Sequence, residues 1–214
     1  FENSEGQLVH CGSGRYANLA IFSFHPAKHM TTGEGGMITT SDKSLYEKLL
    51  RLRTHGITRD PALLTEQPGG WYYEIHETGY NYRLTDFQSV LGVSQLKRAA
   101  DGLARRREIA ARYDEAFADT NVKIIVPPKG MHHGYHLYVV RVPDRKALYD
   151  HLRTNKIFAQ VHYVPVHLLH VMGGKRGDLP HTEKFYDQCL SLPIYDTLTD
   201  EQQDVVVYNV KCMV

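Results

Sequence analysis

A lysine near the start of the chain, Lys28, combines a position and neighbours that suit covalent chemistry. It follows the short apolar run 19–22 and precedes a turn rich in glycine. Such a run is typical of a strand buried on both faces of an α/β sheet, and ligands collect beyond the carboxyl ends of those strands. A lysine there can attack a carbonyl group once burial favours its free amine. A solvated surface charge is the alternative interpretation.

Two polar residues in the run 79–86, Asn81 and Arg83, are candidate binding groups. The amide of Asn81 could donate to a phosphate, whereas an ordinary loop asparagine would cap a turn. The guanidinium of Arg83 could hold a carboxylate or a diphosphate through two parallel bonds. A structural ion pair with Asp86 is the alternative for this arginine.

A second polar group follows an apolar stretch that predicts a strand over 159–164. It consists of His162, Tyr163 and His167. Polar side chains at a strand end and in the loop beyond it are suited to binding a sugar or a diphosphate. Histidines that are buried and hydrogen-bonded for structural reasons are the alternative.

The thirteen histidines and three cysteines raise the question of a metal site. No Cys-x-x-Cys or His-Glu-x-x-His spacing accompanies them. Cys11, Cys189 and Cys212 are odd in number and widely spaced, which favours reduced thiols with a packing role. The sequence therefore predicts neither a metal site nor a disulfide framework.

The segment Ser23–Gly36 reads SFHPAKHMTTGEGG. It resembles the segment that bears the cofactor lysine in the DegT/DnrJ/EryC1/StrS family of sugar aminotransferases, which have fold type I and use pyridoxal 5'-phosphate. The resemblance implies that Lys28 is the cofactor lysine and that Ser23, five positions earlier, contacts the cofactor phosphate. Once released by a substrate amine, the lysine would serve as a general base.

Three further segments, 53–60, 79–86 and 161–167, resemble the same family in the same order. The first and last together are most similar to the branch that makes pseudaminic acid precursors. This implies transfer of an amino group from glutamate to the C4 keto group of a UDP-linked 4-keto-6-deoxy-N-acetylhexosamine. It also implies substrate contacts for Arg83, His162, Tyr163 and His167.

Some relatives carry histidine at the lysine position and act as dehydratases, so Lys28 favours transamination. The run Leu169–Met172 departs from the Gln-Pro-Tyr-Tyr-like sequence that is usual in this branch, which leaves the identity of the sugar open. One alternative is another nucleotide-sugar aminotransferase or a dehydratase of the family. The other is a catalytically incomplete fragment that acts only as a dimerising or binding module.

The resemblance also implies a partner subunit. Asn81 matches the family asparagine that reaches the cofactor phosphate from a neighbouring subunit, which implies a homodimer with a composite active site. The formal net charge of +1 gives no reason to expect a nucleic-acid partner. No apolar run approaches the roughly 20 residues that span a membrane, and no secretion signal is visible, so we expect a cytoplasmic protein.

The composition, with 42% hydrophobic and 23% charged residues, is that of a globular protein. The predicted fold class is α/β, formed by the end of a fold type I large domain and a small α+β domain. The predicted boundaries are 1–100 for the C-terminal part of the cofactor-binding domain, 101–120 for a linking helix and 121–214 for the small domain. The resemblance places the aspartate that pairs with the pyridine nitrogen upstream of this chain.

In the large-domain part, the runs 19–24 and 36–40 predict a pair of strands around the lysine. Ser41 predicts the N-cap of a helix with Gly56 as its C′ residue. A second helix is predicted over 85–97 with an inward apolar face. Its members are Phe87, Val90 and Leu91.

A third helix is predicted over 102–118, and three consecutive arginines give it a solvated face. They are Arg105, Arg106 and Arg107. The small domain is predicted to contain strands over 122–126, 136–142 and 159–164 and a helix over 145–155. Its predicted hydrophobic layer consists of Leu137, Val139, Leu148, Leu152 and Val161. A capping box from Thr199 to Gln202 opens the last helix.

Overall fold

The computed structural model describes residues 1–214 and divides them into two compact units, residues 1–98 and 99–214. The first unit contains β1 (Ala20–Ser23), β2 (Gly36–Thr39), α1 (Lys43–Leu52), β3 (Ile57–Thr58), β4 (Glu74–Ile75) and the beginning of α2 (Asp86–Phe117). The second contains the rest of α2, β5 (Lys123–Ile124), β6 (Tyr138–Arg141), α3 (Arg145–Thr154), α4 (Pro180–Gln188), β7 (Cys189–Leu192) and α5 (Asp200–Lys211). The predicted assignment to family domains stays a prediction. Each helix is too short or too polar to cross a membrane.

The first two strands form the expected pair around the lysine. β1 and β2 are antiparallel, with Ala20 opposite Thr39 and Ser23 opposite Gly36. A side chain on Gly36 would place its Cβ 2.9 Å from the carbonyl oxygen of Phe22, so the close approach of the two strands requires glycine there. The hairpin prediction is confirmed.

Helix α1 begins one residue later than predicted. Asp42 is the N-cap, and its Oδ1 accepts from the backbone N–H groups of Ser44 at 2.7 Å and Leu45 at 3.1 Å. A carboxylate satisfies these donors and is favoured by the positive end of the helix dipole, so the prediction of Ser41 is wrong. The C′ assignment of Gly56 is also wrong, because the helix already ends with Arg53 as its C-cap.

Helix α2 is one continuous helix where the sequence predicted two. It opens with a capping box in which Gln88 N–H donates to Thr85 Oγ1 at 3.3 Å and Thr85 N–H donates to Gln88 Oε1 at 3.1 Å. The helix then passes through Gly102 without a break. A single glycine costs a helix only about 1 kcal/mol, which the good helix formers on either side offset.

The apolar face predicted to point inward on the first half of α2 is exposed in this chain. Phe87 is 91% exposed and Val90 is 70% exposed, and Leu91 is exposed as well. The prediction of their burial is wrong for this chain. The result is a row of unpartnered apolar side chains on the first unit.

The second unit has its own hydrophobic core between an antiparallel sheet and helices. The sheet order is β5-β6-β7, with Tyr138 opposite Leu192 and Arg141 opposite Cys189. Helix α3 packs against α5 and β7, and α4 packs against β6. The most deeply buried members of the core are Ile109, Ala110, Tyr113, Val140, Leu148, Leu152, Leu190 and Val210.

The inward face of β6 differs from the prediction by one residue. Tyr138 and Val140 are buried, whereas Leu137 and Val139 are only partly buried. Since successive side chains of a strand point to opposite faces, an error of one residue exchanges the whole face. On helix α3 the predicted core residues Leu148 and Leu152 are confirmed.

Two elements of the second unit, α4 and β7, were not predicted. The predicted strand 159–164 is instead an extended segment that pairs with β7 only through Gln160 and Ser191. The predicted strand 122–126 shortens to Lys123–Ile124. The capping box of Thr199 with Gln202 is present at the start of α5, as predicted.

The three arginines of α2 differ from one another. Arg106 is only 7% exposed, and its Nη1 donates to the backbone oxygens of Tyr135 at 3.2 Å and Ile194 at 2.9 Å. Arg105 donates to the Leu198 oxygen. A solvated face therefore describes only Arg107, which remains exposed.

Candidate cofactor and substrate site

The predicted cofactor lysine lies in a loop that connects β1 to β2, residues 24–35, here called the lysine loop. Phe24, which is 7% exposed, closes this loop with its backbone. Its N–H donates to Gly35 O at 2.9 Å, and its carbonyl oxygen accepts from Thr32 N–H at 3.0 Å and Thr31 Oγ1 at 3.0 Å. One buried residue thus closes the loop through two backbone hydrogen bonds and one bond from a threonine hydroxyl.

Lys28 and Ser23 flank the end of β1. The backbone N–H of Lys28 donates to His25 O at 2.9 Å, which forms a turn, and the lysine side chain is partly buried. Ser23 is the last residue of β1, and its Oγ accepts from His25 N–H at 3.4 Å. Both predicted residues therefore lie beyond or at a strand end, the location that the sequence indicated.

Helix α2 supports the lysine loop from one side. Gln88 Nε2 donates to Glu34 O at 2.8 Å, and the Thr32 hydroxyl, in a residue only 2% exposed, donates to the same oxygen at 2.7 Å. A Cβ on Gly92 would fall 3.1 Å from Thr32 Cγ2, so helix and loop are in close contact. Thr32 and Gln88 were not among the predicted site residues, because their roles depend on a contact between distant segments.

The two candidates of the run 79–86 contact each other. Arg83 Nε donates to Asn81 Oδ1 at 2.8 Å, and the Asn81 backbone bridges to Thr54. The partner of this guanidinium in the structure is therefore Asn81, where a substrate anion or Asp86 was expected. Because the arginine occupies the oxygen of the amide, the Nδ2 end of Asn81 is the end that remains to donate to a ligand.

The long segment between α1 and α2 is organised by Glu74. Its Oε1 accepts from Thr65 N–H at 2.7 Å and Thr65 Oγ1 at 2.6 Å, and its Oε2 lies 2.8 Å from His76 Nε2. The Thr65 hydroxyl, followed by His76, lowers the pKa of Glu74 to about 2. An ionised carboxylate thus ties together Thr65 and His76 in this segment.

His162 and Tyr163 lie together in the second unit. Their rings form an edge contact with centroids 4.7 Å apart. His162 Nδ1 lies 2.8 Å from Ser191 Oγ, and burial lowers the pKa of His162. Tyr163 is 75% exposed and available for contact.

His167 lies a short distance further along, in the 3₁₀ turn Val166–Leu168. Its Nε2 is 3.0 Å from Glu183 Oε1, and Glu183 is 6% exposed. The Glu183 carboxylate also accepts from the backbone N–H groups of Gly177 and Leu179. The bond from Gly177 is the largest cause that lowers the pKa of Glu183, followed by the contact with His167. Glu183 and Ser191 stand outside the motifs that predicted the site.

The described contacts therefore join the predicted residues into separate groups. Ser23 and Lys28 share one loop, and Asn81 is paired with Arg83. No group of three or more His, Cys, Asp and Glu side chains could hold a metal ion. The cysteines are free, and only Cys189 is buried, so the packing role predicted for Cys11 and Cys212 is wrong.

This arrangement belongs to a known class of enzymes. The profile of the DegT/DnrJ/EryC1/StrS aminotransferase family matches residues 8–211, and the chain belongs to this family. Its members use pyridoxal phosphate and have the mixed α/β fold predicted from the sequence.

Several curated proteins are similar to this chain. The protein MJ1066 of Methanocaldococcus jannaschii is 39% identical over 94% of this chain. The spore coat polysaccharide biosynthesis protein SpsC of Bacillus subtilis is 36% identical over 94% of this chain. The UDP-4-amino-4,6-dideoxy-N-acetyl-beta-L-altrosamine transaminase of Helicobacter pylori is 32% identical over 92% of this chain. The chain spans 55%, 55% and 52% of their respective lengths, about half of each relative.

Solved structures give the same result. The putative sugar aminotransferase Spr1654 of Streptococcus pneumoniae, in its PLP form, has a TM-score of 0.82 and 29% identity, covering 94% of this chain and 54% of that one. The Helicobacter pylori aminotransferase PseC has a TM-score of 0.83 and 31% identity, covering 92% of this chain and 53% of that one.

The residues present suit pyridoxal phosphate. The cofactor offers an aldehyde and a phosphate, and the candidates offer an amine on Lys28, a hydroxyl on Ser23 and the Nδ2 donor of Asn81. The lysine loop is tightly packed at Gly35, at φ +153°, where a Cβ would lie 2.4 Å from Thr32 Oγ1 and 3.0 Å from Leu84 Cδ1. When bound, the cofactor supplies an electron sink for amino-group transfer.

Proposed function

We propose that this chain forms the lysine-bearing part of a pyridoxal phosphate-dependent nucleotide-sugar aminotransferase. The observation that carries the proposal is the lysine loop. Lys28 follows the strand end in a loop that the backbone of Phe24 closes, and Ser23 is the last residue of that strand. In this role Lys28 would hold the cofactor and then move a proton at the substrate carbon. Ser23 and Asn81 would bind the cofactor phosphate.

The proposed reaction moves an amino group from glutamate to the C4 keto group of a UDP-linked 4-keto-6-deoxy-N-acetylhexosamine, a precursor of pseudaminic acid. The similarity to the Helicobacter pylori transaminase supports this sugar. Arg83, His162, Tyr163 and His167 would contact the substrate. A nucleotide sugar and glutamate as substrates would favour a cytoplasmic location.

A second candidate is an aminotransferase that acts on a different nucleotide sugar. The higher identity to SpsC, at 36%, favours it. The departure at Leu169–Met172 from the pseudaminic branch favours it as well. The two candidates share Lys28 chemistry and differ only in the keto sugar that is aminated.

The test of the reaction is the release of 2-oxoglutarate from glutamate in the presence of each keto sugar, with the chain expressed in its complete reading frame. Lys28→Ala abolishes release, and Lys48→Ala, an exposed lysine on α1, leaves it unchanged. Release with another keto sugar only would select the second candidate. A lack of release with any keto sugar would select a binding module without activity.

We also propose that the active site is composite and that the protein is a homodimer. If Asn81 serves the cofactor of the neighbouring subunit, Lys28→Ala and Asn81→Ala chains should complement each other. Random mixing gives half hybrid dimers, each with one intact site, so activity should return to about a quarter of the wild-type value. Mixed chains that stay inactive, while each variant remains dimeric, would show that Lys28 and Asn81 act within one subunit.

A further inference from the structure

Two histidines of the segment 161–167, here called the histidine segment, are each held at one ring nitrogen by a buried side chain. Glu183 of α4 contacts His167, and Ser191 of β7 contacts His162. The exposed fractions of these partners are 6% for Glu183 and 5% for Ser191. Both partners come from elements that the sequence did not predict.

The contact with Glu183 fixes which nitrogen of His167 carries a proton. The Glu183 carboxylate accepts from Gly177 N–H at 3.0 and 2.9 Å and from Leu179 N–H at 3.2 Å, and these bonds lower its pKa. The carboxylate is therefore ionised near neutral pH and can only accept. His167 Nε2, 3.0 Å away, must be the donor. In the neutral ring, Nδ1 is then a bare acceptor.

The backbones that carry His167 and Glu183 are themselves held by neighbouring residues. Gly174 lies so close that a Cβ there would be 3.1 Å from both the carbonyl carbon and the Cβ of His167. Glu183 lies in the first turn of α4, and the backbone N–H of Glu183 donates to Leu179 O at 3.0 Å. The donor and the acceptor of this bond are thus held by separate backbone contacts.

Ser191 contacts Nδ1 of His162, whereas Glu183 contacts Nε2 of His167. The Ser191 backbone exchanges hydrogen bonds with Gln160 in both directions, at 2.8 and 3.1 Å. These bonds fix the backbone position from which the Ser191 hydroxyl extends. Its Oγ lies 2.8 Å from His162 Nδ1, which leaves Nε2 as the nitrogen that faces other groups. Burial lowers the pKa of His162, so this ring is neutral near neutral pH.

We propose that Glu183 and Ser191 are positioning residues that make the histidine segment present two different ring nitrogens to a sugar. Glu183 presents the bare Nδ1 of His167, which accepts from a sugar hydroxyl. Ser191 presents Nε2 of His162. The assignment of a sugar ligand rests on the proposed function, whereas the choice of nitrogens rests only on contacts within this chain.

The test is nitrogen NMR of isotope-labelled histidines in the full chain at about pH 8, where unperturbed rings are neutral. We expect the proton of His167 on Nε2 in the wild type and in Glu183→Gln, which keeps an acceptor oxygen. We expect a mixture of both tautomers in Glu183→Ala. Ser191→Ala should shift only the His162 resonances, so each variant is the control for the other histidine.

Protonation of His167 on Nδ1, or a His167 ring unchanged in Glu183→Ala, would overturn the positioning role. A titration with UDP-N-acetylglucosamine tests the ligand separately. We expect it to shift the Nδ1 resonance of His167 in the wild type and to lose that effect in Glu183→Ala. Correct tautomers without any response to the nucleotide sugar would support the positioning role and overturn the sugar assignment.

Discussion

Arg83 Nε donates to Asn81 Oδ1 over 2.8 Å, and this bond selects which end of the Asn81 amide can serve a ligand. Without the arginine, the amide could rotate and present its oxygen, which repels a phosphate. We therefore predict that Arg83→Ala weakens the binding of pyridoxal phosphate roughly tenfold, the value of one hydrogen bond to a charged group. Absorbance titration measures this affinity.

The matched control for this prediction is Arg98→Ala, which removes an exposed arginine from α2. It should leave the affinity unchanged. Equal affinity of the Arg83→Ala chain and the wild type would show that the orientation of Asn81 does not matter for cofactor binding.

The second prediction concerns the pH dependence of the segment around Glu74. Its pKa is lowered from 4.5 to about 2 in the folded chain. A carboxyl group whose pKa is lower in the folded than in the unfolded chain stabilises the folded state at pH values above its unfolded pKa. This stabilisation is lost as the pH falls toward the folded pKa. The contribution of Glu74 should therefore disappear between about pH 4.5 and 2. NMR titration of the Glu74 carboxyl carbon measures it.

The Thr65 hydroxyl is the largest cause of this shift. Thr65→Val should raise the pKa of Glu74 toward its ordinary value, whereas Thr65→Ser, which keeps the hydroxyl, should not. A Glu74 carboxyl that titrates near 4.5 in the wild-type chain would contradict the described contacts.

The third prediction separates two adjacent arginines of α2. Arg106→Met removes a buried guanidinium and leaves the backbone oxygens of Tyr135 and Ile194 without their donor. We expect a loss of about 2–3 kcal/mol in the free energy of unfolding. Arg107→Met removes only an exposed bond to His133 O and should cost less than about 1 kcal/mol. Urea unfolding of both variants tests this, and equal losses would contradict it.

The fourth prediction concerns the exposed apolar row on the first half of α2. Phe87 and Val90 are 91% and 70% exposed, which favours association with another surface. We expect the 214-residue chain to self-associate, and Phe87→Ser with Val90→Ser to reduce this association at least severalfold. Tyr208→Ser, at an exposed aromatic of α5, is the control. Sizing experiments that find a monomeric wild-type chain at high concentration would contradict the prediction.

Local signals made part of the fold predictable. The β1–β2 pair follows from an apolar run, three glycines and a second apolar run, all within about twenty residues. The capping box at the start of α5 can be recognised from two residues alone, Thr199 and Gln202, which are three positions apart. Lys28 and Ser23 could be selected for the same reason, because the pattern that distinguishes them is contiguous in the chain.

Other features depend on contacts that the sequence does not display. Positions 137–140, which span the start of β6, are all apolar or aromatic, so alternation could not decide which face is buried. The partners of the histidines, Glu183 and Ser191, lie 16 and 29 positions away. Pro180 with Glu183 three residues later is a helix-start signal that could have indicated α4. Nothing local indicates that this glutamate reaches His167.

The central claim is that Lys28 bears the cofactor, and the most direct measurement is covalent trapping. The chain is incubated with pyridoxal phosphate, reduced with borohydride, digested and examined by mass spectrometry, alongside Lys28→Ala and Lys48→Ala. We predict a modified peptide that contains Lys28 in the wild type and in Lys48→Ala, and its loss in Lys28→Ala. Equal labelling of surface lysines in all three chains, or no adduct on Lys28 even in the complete reading frame, would contradict the claim.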